Sequence, residues 1–126
     1  MRDYVEDPRL SEVLLEESHV LRIDSGAHFV HFTMEFAVTT RHRLYRPPPP
    51  TEYLCYHRGR LLFDSGVVSA FDFNPRSRSV DANGEVDFGQ IDAMRFDADR
   101  YILEGDRGDL DIVANMDVVY ESSYRL

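Results

Sequence analysis

The chain has no lysine. All 14 of its basic residues are arginine, set against 23 carboxylates, and the formal net charge is −9. Exclusive use of arginine reads as the codon bias of a GC-rich bacterial genome rather than as selection at every site. The negative surplus argues against DNA, RNA or an anionic membrane surface as partner, because binding such polyanions draws on positive charge. Cysteine is nearly absent too: Cys55 stands alone, so no internal disulfide can form. No run approaches the roughly 18 apolar residues of a membrane-spanning helix. The opening MRDYVEDPRL lacks the apolar centre of a secretory signal, so a cytoplasmic location is expected. Also missing are a phosphate-cradling glycine loop, a nucleophile elbow and a dinucleotide fingerprint.

What is present suffices for a core. Hydrophobic residues make up 43% and aromatics 12% of 126 residues, so the chain can offset its ordering entropy as one globular domain over residues 1–126. Near the start, Asp7-Pro8 reads as an N-cap and first helical position. Leu10, Val13 and Leu14 follow at helical spacing, predicting a short helix over residues 8–17. From His19 the period changes to two, with Leu21 and Ile23 alternating against Arg22 and Asp24 before the turn signal Asp24-Ser25-Gly26. The clearest strand carries Val30, Phe32, Met34, Phe36 and Val38 on one face and His31, Thr33, Glu35, Ala37 and Thr39 on the other.

Pro47 to Pro50 lack ladder donors and predict a stiff surface connector. Beyond it, residues 52–63 read as one long strand or two short ones, and residues 67–73 as another, ended by Asn74-Pro75. A polar loop spans residues 76–84. Further strands are expected over residues 93–97, with a start near Val86 as the alternative, and over 101–103, 110–114 and 118–120. Short strands with frequent turn signals indicate a mainly β, antiparallel domain, either a β-sandwich or a curved sheet, with one short N-terminal helix.

Charge is unevenly distributed along this plan. Residues 41–60 hold five arginines against Glu52, whereas residues 80–121 hold twelve carboxylates against Arg95, Arg100 and Arg107. Such an acidic surface aids solubility and discourages edge pairing, and it would also suit a basic protein partner. Asp106, Asp109 and Asp111 cluster at a turn and are the expected contact, with Tyr101 and Tyr120 as aromatic anchors.

Other motifs are incomplete. Asp24-Ser25-Gly26 and Asp64-Ser65-Gly66 look like the triplet of aspartic peptidases, in which two carboxylates share a proton. A small hydrolase using Asp24 and Asp64 is therefore an alternative, although the same tripeptide is ordinary turn chemistry. Ser79, Asp81, Asn83 and Gly84 match part of a calcium loop, but Gln90 replaces the bidentate glutamate. His31, His42, Cys55 and His57 lack paired-cysteine zinc spacing. Arg107-Gly108-Asp109 reads as a hairpin turn. No catalytic residue, metal or cofactor is assigned.

The segment LLFDSGVVSAFDF, a polar loop, and then GQIDAMRFDADRYILEGDRGDLDIVANMDVVYE set a rhythm over residues 60–121. It resembles that of small acidic bacterial immunity proteins of polymorphic toxin systems. There a strand with a Gly-Val step precedes a Gly-x-Ile-Asp segment and an acidic terminal hairpin. The resemblance implies a non-enzymatic protein that binds and neutralises a cognate toxin, with no catalytic residues to transfer. A structural subunit of a larger assembly is the remaining alternative.

Overall fold

Alternating apolar side chains organise most of the chain into antiparallel strands. A computed structural model describes residues 1–73, 79–80, 86–87, 89–105 and 108–121. Its strands are β1 (Arg2–Asp3), β2 (Val13–Gly26), β3 (Phe29–Val38), β4 (Cys55–Phe73), β5 (Ser79–Val80), β6 (Val86–Asp87), β7 (Ile91–Asp97), β8 (Arg100–Gly105) and β9 (Gly108–Tyr120). Seven of them form one sheet in the order β1-β7-β8-β9-β4-β3-β2, while β5 and β6 pair separately. Every pairing is antiparallel. Two meanders, β2-β3-β4 and β7-β8-β9, are thus joined side by side through β4 and β9. The outcome is a curved, unclosed sheet rather than a sandwich. Among the described residues, no helix is long and apolar enough to cross a membrane.

The inner face is the core. Val30, Phe32, Met34, Phe36 and Val38 are all buried, as their spacing predicts. They meet Leu61 and Phe63 of β4, Met94 of β7, Leu103 of β8 and Ile112 of β9 in one continuous cluster. Phe32 packs edge-on against Phe63 and Phe73, at centroid separations of 6.2 and 5.4 Å. Burial of a side chain of this size is worth about 1.5–3 kcal/mol.

The expected helix over residues 8–17 does not form. A single 3-10 turn at Tyr4–Glu6 is the helical element near the N-terminus, and β2 already begins at Val13. Spacings of three and four residues suit a helix, but Val13 and Leu15 are buried while Leu14 is only partly covered, which is a strand pattern. Asp7 caps no helix. Its carboxylate accepts the Arg9 amide hydrogen at 2.9 Å and the Arg9 guanidinium at 3.0 and 2.7 Å, turning the chain locally. Arg9 also donates to the Met116 carbonyl, fastening the segment to β9.

Curvature brings the two sheet edges towards each other. Tyr4, next to edge strand β1, reaches across to edge strand β2, where its hydroxyl accepts the Leu15 amide hydrogen at 3.0 Å and lies 2.7 Å from the Glu16 carboxylate. The Val20 amide donates to the Gly89 carbonyl at 2.9 Å along the same seam. Within β2 the register slips between Leu14 and His19. There the buried Ser18 hydroxyl donates to the Leu14 carbonyl at 2.8 Å and accepts the Ala37 amide hydrogen at 2.9 Å, satisfying groups that a bulge would orphan.

The second Asp-Ser-Gly triplet is a bulge and not a turn. Ser65 adopts φ +53° where the β4–β9 register shifts between Asp64 and Val67, so residues 55–73 form one continuous strand. The first triplet ends β2, just before the two-residue turn Ala27-His28. That turn locks onto the bulge, with the Gly66 amide donating to the His28 carbonyl at 2.7 Å. Likewise, the strands expected over 110–114 and 118–120 are both parts of β9.

Candidate functional site

The expected acidic contact is only partly assembled. Register places Glu104 of β8 opposite Asp109 of β9, and Asp109 opposite Asp72 of β4. Directly opposed positions hold their Cβ atoms about 4.5–5.5 Å apart. All three carboxylates are exposed, forming a row across three strands. The strands are drawn together by Gly108, whose φ of +153° and contact with β4 leave no room for a side chain: a Cβ there would lie 1.7 Å from the Asp72 carbonyl oxygen. Glu104 pairs with Arg95, but neither Asp72 nor Asp109 has a cationic partner among the described residues. Asp111 differs: Arg100 donates to it twice, at 3.1 and 2.7 Å, and holds its carboxyl below the usual range. Asp106 lies outside the described residues, as do residues 81–85 of the partial calcium loop.

The expected anchors do not join this row. Tyr101 is 4% exposed and packs against Phe63 at 5.2 Å and Phe96 at 6.1 Å, so it is a core residue with almost no surface to offer a partner. Tyr120 sits eleven residues along β9 from Asp109, about 35 Å at strand rise. It belongs instead to a second charged region.

That region is basic. Arg2, Arg9, Arg22, Arg95 and Arg100 each pair with a carboxylate, whereas Arg41, Arg43, Arg46, Arg58 and Arg60 pair with none among the described residues. Arg41, His42 and Arg43 follow the end of β3 and with Tyr120 line a cleft of about 340 Å³ whose other walls include Pro8, Glu12, Val118 and the Asp7-paired Arg9. The His42 Nδ1 accepts the Leu44 amide hydrogen at 3.0 Å. The proton of the neutral ring therefore sits on Nε2, 3.1 Å from the Tyr120 hydroxyl oxygen, and is donated to it. Burial, then the neighbouring Arg43 and His57, lower the His42 pKa and favour this neutral form. Arg43 lies over the Tyr120 ring at 5.7 Å, and the His57 ring meets it edge-on at 5.8 Å.

The two triplet aspartates do not meet. Asp24 is on β2 and Asp64 on β4, two strand spacings apart with β3 between them and offset by two residues along the strands, a separation of roughly 12 Å. His31 of β3 holds Asp64 at 2.7 Å, while Asp24 pairs with Arg22 at 3.0 Å. No proton is shared between these carboxylates, and no hydroxyl nucleophile among the described residues bonds to His31. Cys55 is buried and its Sγ accepts the Arg46 amide hydrogen at 3.4 Å. His42 and His57 are engaged with Tyr120, and no three His, Cys, Asp or Glu side chains converge among the described residues.

Asp72 and Glu104 extend the acidic cluster beyond the residues singled out from sequence. Asp72 could have been found from the alternation of Phe71, Asp72 and Phe73, which turns the carboxylate outward. Comparison with known protein families, curated proteins and solved structures finds no match.

Proposed function

We propose that the protein is a non-enzymatic binding domain whose acidic sheet end docks a basic protein, in the manner of an immunity-type inhibitor. The observation that carries this reading is the register of Glu104, Asp109 and Asp72. Like charges directly opposite one another destabilise a sheet, and here Asp72 and Asp109 stand without a neutralising cation among the described residues. Binding sites commonly trade stability for function, and an uncompensated row of carboxylates on an exposed surface fits that pattern. The row would attract a basic partner and set its register, which is what complementary charge does best at interfaces. The motif rhythm over residues 60–121, which resembles that of immunity proteins, is in keeping with this reading.

Affinity capture from the native organism tests the reading. At low ionic strength the wild-type chain should retain a basic protein that an Asp72→Asn/Asp109→Asn variant loses. Equal retention by both, or retention of an acidic protein alone, contradicts it.

A further inference from the structure

We infer that the cleft of Arg41, Arg43 and Tyr120 is a binding site for a small molecule bearing an oxyanion, a phosphate or a carboxylate group. Three independent features converge on it. The first is charge. Five arginines outside residues 41–60 are neutralised in place, yet Arg41 and Arg43 have no carboxylate partner among the described residues. Glu12 lines the same cleft and keeps its charge while accepting from the Thr39 hydroxyl, so Arg41 and Arg43 together outweigh it. Two guanidinium groups without a carboxylate partner, one of them stacked over the Tyr120 ring, offer forked donors that match the geometry of phosphate or carboxylate oxygens.

The second feature is an oriented neutral donor. Because the Leu44 amide fixes the His42 tautomer, Nε2–H donates to the Tyr120 oxygen. The hydroxyl hydrogen of Tyr120 is then left to donate, and it has no acceptor among the described residues. A tyrosine that both lines a cleft and accepts from a fixed imidazole presents its proton to whatever enters. The third feature is shape: about 340 Å³ lies within the range of small-molecule sites, roughly 300–1,000 Å³, and Pro8 and Val118 supply apolar wall. The overall charge of −9 makes a nucleic-acid strand a poor occupant, whereas a small anion needs only the local field. This site lies at the far end of β9 from the acidic row and does not depend on it.

The test titrates the full chain with inorganic phosphate, phenyl phosphate and benzoate, using backbone NMR shifts and calorimetry. Saturable binding of at least one of them, with shifts centred on residues 41–44 and 118–120, is the expected result. Preference between phenyl phosphate and benzoate then tells which oxyanion the site takes. Arg41→Gln/Arg43→Gln should weaken binding at least tenfold and Tyr120→Phe several-fold. Arg58→Gln/Arg60→Gln, which removes two unpaired arginines outside the cleft, should leave it unchanged. Melting temperatures separate loss of binding from loss of fold, and Tyr120→Phe keeps the ring packing in place. Absence of saturable binding by all three probes, or equal weakening by the Arg58/Arg60 variant, overturns the inference.

Discussion

Asp72 and Asp109 stand directly opposite each other across the β4–β9 ladder, with Glu104 opposite Asp109 on the other side. Repulsion between such neighbours costs about 0.2–1 kcal/mol per pair. Asp109→Asn relieves both pairs at once and should therefore stabilise the domain, raising its urea midpoint without changing the slope. A lowered midpoint would mean that the Asp109 carboxylate makes a contact that holds the sheet together.

The Tyr4 hydroxyl spans the gap between the two edges of the sheet. Tyr4→Phe preserves the buried ring but leaves the Leu15 amide without its acceptor and the Glu16 carboxylate without its partner. A buried donor left unmade costs about 1–3 kcal/mol, and denaturant unfolding should show a loss of that size. Hydrogen exchange at Leu15 should accelerate more than exchange in β9. Uniform acceleration would show that the bond does not act locally at the seam.

Acidification should weaken the fold through His42. Burial, Arg43 and His57 lower its pKa, so the folded chain binds fewer protons than the unfolded chain, whose histidine titrates near the usual value of about 6.5. This contribution is fully present above that value and is lost as pH falls through the lower folded one. Protonation would also place a hydrogen on Nδ1, where the Leu44 amide now donates. Measured from pH 7.5 to 5, wild type should lose stability relative to His42→Gln. A difference between the two that stays flat with pH contradicts the assignment.

How much of this was legible in the sequence varies by element. Strand β3 is readable because each of Val30, Phe32, Met34, Phe36 and Val38 faces one side without interruption. Strand β4 is not readable as one element. The bulge at Ser65 shifts the apolar period halfway along, and the local signal there is the same as for a turn. At the N-terminus, Leu10, Val13 and Leu14 satisfy a helical spacing, and only tertiary burial of Leu15 with Val13 selects the strand. The charge asymmetry was legible, since composition alone separates residues 41–60 from residues 80–121. Which charges remain unpaired was not. Arg100 silences Asp111 from the neighbouring strand, and Tyr120 meets His42 across 78 residues of sequence. Tyr101 and Tyr120 carry the same side chain, and nothing local distinguishes the core position from the cleft.

Steering of a partner by the acidic row is read most directly from the association rate. With the captured basic protein immobilised, surface plasmon resonance should show Asp72→Asn/Asp109→Asn binding about tenfold more slowly than wild type at low ionic strength. The gap should close near 1 M salt, where the screening length falls to about 3 Å. An association rate indifferent both to these substitutions and to salt would contradict the account.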